Sequence, residues 1–477
     1  MPLVEAQVQQ RIDDPRALPE SSARLVISAP GGRCGKTIVS LGLCAAFRER
    51  ELRVQPFKRG PDYIDPSWLA AAAGRPCRNL DLFMMDAESI LDIFQQGRSG
   101  AQLSIIEGAM GLYDGLDLAG STSTARLARL LAAPVVLVVN TTRISRSVAA
   151  LVQGFQNFEP ETNLVGVILN RVARPRHETK LRAALEHYCH IKVVGALPAD
   201  PALTIPQRHL GLVPRPEHPE TGAVIAAARR LVEAHVDLEG VLALARAAPA
   251  LPPCRPASLA VTQTARIGVA VDRAFSFYYP ANLEALETAG AQLCPFDTLA
   301  EPNLPDVDAL YLGGGFPEVF LEALEANHRL RNAIREAIEE GMPVYAECGG
   351  LMYLARSIAW NGRRAEMVAA LPCDIELTAR PRAHGYVTLR VEKDNAWFRS
   401  GTEFRGHEFH HSQITNLGDV RLAYAISRGH GVDGERDGIL YKNVLAAYTH
   451  LHALGAPGWA ERLVEMARGY RQARAAA

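Results

Sequence analysis

Short runs of β-branched residues alternate with longer segments of helical apolar spacing from Arg24 onward, and this alternation limits the fold more than any other feature. The runs at 25–28, 54–57, 103–106, 134–140, 164–169 and 191–194 predict buried strands, and the segments at 38–49, 121–131, 177–188 and 222–234 predict helices. Fully buried strands that alternate with helices form right-handed βαβ units around a parallel sheet. The sequence therefore predicts the α/β fold class.

A proline-rich segment at 247–256 interrupts this alternation, because it holds too many prolines for a helix or a central strand. A second α/β series follows, with predicted strands at 266–271, 308–312 and 343–346 and predicted helices at 282–290 and 330–340. We therefore predict a flexible lead at 1–22, a first domain at 23–243, a linker at 244–265 and a second domain at 266–477.

Composition excludes several classes of protein. Hydrophobic residues make up 48% and charged residues 22% of the chain, which is typical of a folded protein rather than a disordered or fibrous one. Lysine and arginine number 51 against 52 acidic residues, so a basic surface for nucleic acid is not expected. No apolar run reaches the roughly 18 residues that span a bilayer. The polar lead and eight cysteines without CxxC pairs predict a cytoplasmic protein without a secretory signal.

The first candidate site begins where the strand at 25–28 continues through Ala29-Pro-Gly-Gly-Arg-Cys-Gly-Lys-Thr37 into a helix. Gly35, Lys36 and Thr37 end a phosphate-binding loop, in which backbone N–H groups and the start of the helix receive phosphate oxygens. Lys36 would reach the β- and γ-phosphates, and Thr37 would offer its hydroxyl to Mg²⁺. Pro30 stands where such loops usually have their first glycine.

Carboxylates follow the next predicted strands. Asp62 and Asp65 lie three residues apart in a loop bounded by glycine and proline, Glu107 directly follows an apolar strand, and Asp114 comes seven residues later. Aspartates of this kind are also common in solvated turns. Ligands of open α/β sheets bind at the carboxyl ends of the strands, however, and Glu107 has the position of a Walker-B acid that coordinates Mg²⁺. The sequence predicts that these residues meet the phosphate-binding loop at one sheet edge.

The second candidate site is a cysteine. Cys348 ends an apolar strand and precedes two glycines and a helical pattern, as in a nucleophile elbow, where the start of a helix lowers the pKa of the thiol. Most free cysteines are buried structural residues, but such a residue needs no turn. Backbone amides of Gly313-Gly-Gly315 could form an oxyanion hole, and His450 or His452 could supply the base.

The segment His407-Glu-Phe-His-His411 has the spacing of a zinc-binding HExxH motif. That motif requires a helix, which brings both histidines to one face. Glycines before the segment and phenylalanines around it are typical of strand and turn, so we do not expect a metalloprotease.

Six ordered motifs resemble the cobyrinate/hydrogenobyrinate a,c-diamide synthase family over nearly the whole chain. They are Gly60-Pro-Asp-Tyr-Ile-Asp-Pro66, Glu107-Gly-Ala-Met-Gly-Leu-Tyr-Asp-Gly115, Gly313-Gly-Gly-Phe-Pro-Glu318, Ala346-Glu-Cys-Gly-Gly-Leu-Met-Tyr353, Arg405-Gly-His-Glu-Phe-His410 and Tyr448-Thr-His-Leu-His452. The resemblance implies an N-terminal dethiobiotin-synthetase-like P-loop domain and a C-terminal class I glutamine amidotransferase domain. It also implies that ATP, Mg²⁺ and glutamine are used to amidate the a and c acetate carboxylates of a corrinoid in cobalamin biosynthesis.

The resemblance further implies roles for individual residues. In the first domain, Mg²⁺, phosphates and the substrate carboxylate would be surrounded by Thr37, Asp62, Asp65, Glu107 and Asp114, the tetrapyrrole would be placed by Tyr63 and Ile64, and adenine would be recognised by Asn170. In the second domain, Cys348 would attack glutamine and His450 would carry the proton. The predicted oxyanion hole and glutamine site comprise Gly314, Gly315 and Gly349.

Two departures from common patterns affect these expectations. His452 stands where common class I amidotransferases have a glutamate, so the resemblance implies a Cys348–His450 dyad with His452 secondary. Arg33 occupies a loop position where small residues are common.

Several alternatives stay open at this point. Residues 62–68 and 74–81 look closer to relatives that amidate sirohaem in dissimilatory sulfur metabolism, which makes sirohaem the alternative substrate. An alternative of another class is a regulatory P-loop ATPase with a vestigial amidotransferase domain. The sequence does not determine the oligomeric state, for which a homodimer is one option.

Overall fold

The computed structural model describes residues 23–200, 220–251 and 263–476, together with the backbone of 207–208 and 211–212. The first domain contains β1 Arg24–Ser28, β2 Val54–Arg59, β3 Arg78–Leu80, β4 Leu103–Glu107, β5 Val135–Asn140, β6 Leu164–Val172 and β7 Lys192–Pro198. Within the described residues these seven strands form one parallel sheet in the order β3-β2-β4-β1-β5-β6-β7. A separate short pair consists of β8 Gln207–Arg208 and β9 Gly211–Leu212.

Helices cover both faces of this sheet. They are α1 Lys36–Glu49, α2 Ile64–Ala73, α3 Ala87–Arg98, α4 Thr124–Leu130, α5 Ser147–Phe158, α6 Pro175–Cys189, α7 Thr221–His235 and α8 Leu238–Arg246. Alternate residues of β1 enter opposite cores: Leu25 and Ile27 pack with α1, whereas Val26 packs on the other face. All five residues of β1 are buried. This two-sided burial explains why the central strands have continuous apolar sequences.

The strand order brings three loops together at one edge of the sheet. β1 pairs with β4 on one side and with β5 on the other, and β4 also pairs with β2, always in parallel. The loops that follow β1, β2 and β4 therefore leave the sheet side by side at its carboxyl edge. Ligands of open α/β sheets bind at this edge.

The second domain contains a larger mixed sheet. Its strands are β10 Ala265–Ala270, β11 Phe275–Phe277, β12 Ala291–Phe296, β13 Ala309–Leu312, β14 Gly314–Gly315, β15 Val344–Glu347, β16 Ser357–Trp360, β17 Arg363–Glu366, β18 Asp374–Leu377, β19 Ala383–Val391, β20 Glu403–His410, β21 Ser412–Thr415, β22 Arg421–Arg428, β23 Arg436–Tyr441, β24 Val444–Ala447 and β25 His450–Leu451. Ten of the strands in the described chain form the sheet β12-β10-β13-β15-β24-β23-β22-β19-β20-β25. The first five strands of this order, which are β12, β10, β13, β15 and β24, pair with one another in parallel.

The helices of the second domain are α9 Pro280–Thr288, α10 Leu321–Ala326, α11 His328–Glu339, α12 Gly349–Leu354 and α13 Trp459–Ala476. Short 3₁₀ turns occupy Pro317–Phe320 and Ala453–Gly455. Across the part of the chain that the structure describes, no helix is both long and apolar enough to cross a membrane.

The elements predicted from the sequence are present, with ends that differ by up to four residues. Among the helices and main-sheet strands of the first domain, the sequence analysis did not identify β3, α2, α3, α5 or α8. β3 is a three-residue edge strand, and α2 has too few polar residues to show a helical period. Helix α8 continues three residues past the predicted boundary at 243, and Ala245 is buried in the core of the first domain. The predicted lead at 1–22 and most of the predicted linker lie outside the described residues.

The two domains contact each other directly. Both guanidinium NH groups of Arg78 donate to the carboxylate of Glu284, each at 2.6 Å. The Tyr386 hydroxyl donates to Asp81 Oδ2 at 2.7 Å. These contacts join the β2–β3 side of the first domain to the second domain, so a candidate site at that edge lies near the domain interface.

A pair of glycine substitutions tests the close crossing of α1 and α7. A Cβ on Gly42 would lie 2.6 Å from the backbone oxygen of Ala228, whereas a Cβ on Gly154 in α5 would meet nothing within 4 Å. We expect Gly42→Ala to destabilise the protein by about 1–3 kcal/mol, because the helices must separate. The matched change Gly154→Ala should stabilise it by about 0.5–1 kcal/mol through helix propensity. Thermal unfolding of both variants measures this difference, and a Gly42→Ala variant at least as stable as Gly154→Ala would contradict the packing.

Two candidate active sites

The first candidate site is a phosphate-binding loop between β1 and α1. Gly35, the residue before α1, has φ 97, and Lys36 begins the helix. Lys36 Nζ donates to the carbonyl of Gly31 at 3.0 Å and to that of Met110 at 2.6 Å, so the ammonium group bridges the loops after β1 and β4. The Thr37 hydroxyl donates to Glu107 Oε1 at 2.8 Å. The structure thus joins the loop to the Walker-B-type acid, as the sequence predicted.

Lys58, at the end of β2, is a functional candidate that the sequence analysis missed. Its Nζ lies 2.5 Å from Asp65 Oδ2, 3.0 Å from Glu107 Oε1 and 3.9 Å from Asp62 Oδ2. Burial alone would lower the pKa of Lys58, but the three carboxylates together raise it, so the lysine stays charged. A lysine inside an otherwise buried strand was the signal that could have identified it, because buried lysines need a partner.

The carboxylates near Lys58 fit a bound cation. Glu107 is fully buried, and its Oε2 has no hydrogen-bond partner among the described residues. Burial raises the pKa of Glu107. The pKa of Asp62 is raised to about 7, mainly by burial and to a smaller extent by the negative charge of Asp65. The described residues contain no group of three or more His, Cys, Asp or Glu that would hold a metal alone. Mg²⁺ at nucleotide sites is held by one or two carboxylates together with phosphates, so the unpartnered oxygen of Glu107 beside Thr37 suits it.

Other predicted residues of the first site have more local contacts. Asp62 Oδ1 accepts hydrogen bonds from the backbone N–H groups of Ile64 and Asp65, the first two residues of α2. Ile64 itself is buried in the core of the first domain. Asp114 is exposed and accepts from Gly111 N at 2.7 Å. It therefore shapes its own loop, and no described contact joins it to Lys58.

Asn170 and Arg33 lie at the phosphate-binding loop. The Asn170 side-chain amide donates to the carbonyl of Cys34 at 2.9 Å. Its predicted contact with adenine stays a prediction. Arg33 is exposed and has φ 59, a left-handed conformation that is uncommon outside glycine.

The second candidate site is the turn at Cys348. The residue follows β15 and precedes α12 with φ 47 and ψ −97, a strained conformation of the kind found at nucleophile elbows. A Cβ on Gly350 would lie 2.2 Å from the backbone oxygen of Leu312, so only glycine lets α12 approach β13 this closely. The predicted elbow is therefore present in the structure.

The environment of the thiol differs from the sequence expectation. The Cys348 side chain is buried, and this burial raises the pKa of the thiol, although the backbone N–H of Gly349 opposes the effect. The expectation that a helix start lowers this pKa was wrong, because loss of water outweighs the short helix α12. The thiol therefore needs a base to take its proton.

The predicted glycines converge on this turn. A Cβ on Gly349 would lie 2.9 Å from Gly315 N, and a Cβ on Gly314 would lie 2.5 Å from His450 Cε1. A cavity of about 460 Å³ opens beside them, and its lining includes Gly315, Cys348 and Met352 together with His410 and Ser412. The lining thus holds the thiol of Cys348 and the imidazole of His410, whereas His450 lies against Gly314 and is not among the lining residues. A space of this size suits a small amide substrate.

The structure separates the two histidines that the sequence left as bases. β15 and β24 pair in parallel, with Glu347 opposite Ala447, so Cys348 and His450 follow neighbouring strand ends. His452 instead accepts a hydrogen bond from Leu454 N at 3.3 Å and caps the turn Ala453–Gly455. Burial lowers the pKa of His452 to about 3, which keeps it neutral. His450 is therefore the better placed base.

The HExxH-like segment forms a strand, as predicted. His407, Glu408 and His410 belong to β20, so the segment lacks the helix that a zinc site of this type requires. His407 pairs with His450 across β20 and β25, and their rings stack with centroids 4.9 Å apart.

Tyr63 connects the two candidate sites. The residue comes directly after Asp62, yet its ring stacks on Phe277 at 5.1 Å and on Tyr279 at 4.5 Å, both in the second domain. Its centroid also lies 5.2 Å from that of His450. The loop that presents Asp62 and Asp65 thus contacts the histidine beside Cys348.

Comparisons with known proteins agree with this two-site architecture. Residues 25–213 match a family model described as the CobQ/CobB/MinD/ParA nucleotide binding domain, and residues 266–458 match the CobB/CobQ-like glutamine amidotransferase domain. A protein of Magnetococcus marinus named cobyrinate a,c-diamide synthase is 47% identical over 94% of this chain and 98% of that protein. Proteins of the same name from Methanosarcina acetivorans and Archaeoglobus fulgidus are 41% and 42% identical, each over 95% of this chain and at least 97% of theirs.

Replacing Lys58 tests the charge balance of the first site. We expect Lys58→Met to destabilise the protein by about 3 kcal/mol, because it leaves buried carboxylates without their cation. Burial already raises the pKa values of Glu107 and Asp62, and loss of the Lys58 charge, which lowers both, would raise them further in the folded variant. The stability loss should therefore be larger at about pH 8 than at about pH 5.5. Urea unfolding at both pH values measures it.

The control for this experiment is Lys180→Met, which removes an exposed lysine of α6. We expect the control to leave the free energy of unfolding nearly unchanged at both pH values. A Lys58→Met variant with the same stability loss at both pH values would contradict the proposed dependence on carboxylate charge.

Proposed function

The chain belongs to the cobyrinate a,c-diamide synthase family, and we propose that it uses ATP and glutamine to convert the a and c acetate carboxylates of cobyrinate to amides. The observation that carries this proposal is the pairing of a phosphate-binding loop with a buried cysteine site in one chain, joined through Tyr63. The two half-reactions need different chemistry, and each site has residues suited to one of them.

The first site would activate the carboxylate. A carboxylate is a poor acyl donor, so transfer of the γ-phosphoryl group of ATP to a carboxylate oxygen would give an acyl phosphate and ADP. Lys36 would stabilise the charge of the transferred phosphoryl group. Mg²⁺, when bound, would offset phosphate charge, and Thr37, Glu107 and Asp62 are the residues that we propose to hold it. Asp65 would keep Lys58 in place beside them.

Substrate recognition would involve the loops around these residues. We propose that Tyr63, Ile64 and Asp114 help to position the tetrapyrrole and that Asn170 helps to recognise the adenine base. Exposure of Asp114 and its place in the loop beside Met110 support a contact with a large substrate.

The second site would release ammonia. The Cys348 sulfur would attack the glutamine carboxamide carbon as His450 accepts the thiol proton. The backbone N–H groups of Gly315 and Gly349 are the proposed donors to the oxyanion. His450 would then return the proton to the leaving nitrogen, which gives ammonia and a thioester, and water would hydrolyse the thioester to glutamate.

Ammonia from the second site would attack the acyl phosphate in the first, with loss of inorganic phosphate and formation of the amide. The contact of Tyr63 with the ring of His450 supports direct communication between the two sites. We propose that this ring makes release of ammonia depend on the state of the Asp62–Asp65 loop.

Cobyrinate is preferred to the alternatives because the three relatives above, which match nearly the whole chain, carry the name cobyrinate a,c-diamide synthase. The same full-length similarity disfavours a regulatory ATPase with a vestigial second domain. The domain boundaries, cytoplasmic location and homodimer remain predictions from the sequence.

Mass measurement after incubation with ATP, Mg²⁺, glutamine and either cobyrinate or sirohaem tests the substrate. Unchanged cobyrinate would contradict the proposal.

Two substitutions should separate the half-reactions. Cys348→Ala should abolish amidation with glutamine but retain amidation with free ammonia, because only the nitrogen source depends on the thiol. Asp62→Asn should lose amidation with either source and retain glutamine hydrolysis, since the asparagine oxygen can still accept from the backbone N–H groups of Ile64 and Asp65. Product mass and glutamate release are the measurements. A folded Cys348→Ala variant that fails with both nitrogen sources would contradict two separate sites.

A further inference from the structure

A buried carboxylate faces His450 from the neighbouring strand. Glu347 Oε2 lies 3.5 Å from His450 Nδ1, and both side chains are almost completely buried. Nδ1 of His450 is buried and has no hydrogen-bond partner among the described residues, and the Glu347 carboxylate faces it across this distance. The sequence analysis did not identify Glu347, although this residue immediately precedes Cys348.

Glu347 is held in place by three other donors. Its Oε1 accepts from the Tyr345 hydroxyl at 3.1 Å and from Leu451 N at 3.0 Å, and its Oε2 accepts from the Tyr311 hydroxyl at 3.2 Å. The bond from Leu451 N fixes the backbone next to His450. These donors are neutral, and in the described chain no lysine or arginine pairs with Glu347. A buried carboxylate without a permanent cation is costly, which points to a charge that forms only during a reaction.

The titratable side chains whose rings lie against His450 are neutral. The pKa of His407 is lowered well below its usual range, mainly by burial and to a smaller extent by the nearby His450. Burial raises the pKa of Tyr63, whose ring lies against His450 from the first domain, and also that of Cys348. Glu347 is therefore the acid among these neighbours that can balance a positive charge on His450.

We infer that Glu347 is a positioning residue of the cysteine site. Its carboxylate orients His450 and stabilises the imidazolium form of that histidine. This inference rests on the proposed glutamine hydrolysis. An Nδ1–H directed at Glu347 leaves Nε2, on the side of the ring near Gly314, free to accept the thiol proton. When the proton moves from Cys348 to Nε2, the carboxylate faces the new positive charge. Common class I amidotransferases have a glutamate two residues after the histidine, where this chain has His452. Glu347, at the end of β15, would supply the missing acid from a different strand.

Glu347→Gln tests this inference, because glutamine keeps the shape of the side chain but presents no charge to Nδ1. We expect kcat for glutamine hydrolysis to fall by about 10²-fold, with KM nearly unchanged, since the lost effect concerns proton transfer. The pH dependence of Cys348 alkylation by iodoacetamide should move to higher pH, because the imidazolium no longer supports the thiolate. Amidation with free ammonia should persist, which shows that the variant is folded.

The matched control is Glu336→Gln, which removes an exposed carboxylate of α11 and should leave both profiles unchanged. If Glu347→Gln does not fold, Glu347→Asp decides the question, because it keeps the charge but withdraws it from Nδ1; kcat should then fall while the alkylation profile moves only slightly. A folded Glu347→Gln variant with the kcat and alkylation profile of the wild type would overturn the inference. Absence of glutamine hydrolysis in the wild type would instead contradict the proposed function.

Discussion

The stacking of Tyr63 against the second domain is the contact on which the two-site arrangement depends. The ring packs on Phe277 and Tyr279 and lies against His450, while the adjacent Asp62 faces the buried ammonium group of Lys58. A single loop therefore touches the carboxylate cluster on one side and the cysteine site on the other. A displacement of this loop cannot leave either site unaffected, because aromatic stacking is short-ranged and depends on ring orientation.

Buried charge is handled differently in the two sites. In the first site a permanent cation, Lys58, holds three acids together, and an unpartnered oxygen of Glu107 remains for a bound ion. In the second site the described residues give Glu347 neutral donors alone, and we infer that its partner charge forms on His450 during proton transfer. The first arrangement suits stable binding of phosphates, and the second suits a proton that moves and returns.

Much of the fold could be predicted because its signals are local in the sequence. Continuous apolar runs predicted the central strands. Glu107 and Cys348 stand at the ends of two of them, and Lys36 begins the helix that follows another. Lys58 was missed because its contact with Glu107 depends on the pairing of β2 with β4, which the sequence does not state. Glu347 was missed because His450, which it faces, is distant in sequence. The position of Tyr63 depends on the contact between domains, and the raised pKa of Cys348 depends on burial that local motifs do not report.

The most direct test of coupling is the ratio of glutamate released to amide formed when ATP, glutamine and cobyrinate are all present. We expect the wild type and Tyr63→Phe to form the two products in equal amounts, because both retain the ring beside His450. Tyr63→Ala should release more glutamate than amide, since glutamine hydrolysis would no longer depend on the Asp62–Asp65 loop. An equal ratio in a folded Tyr63→Ala variant, with undiminished rates, would contradict the account.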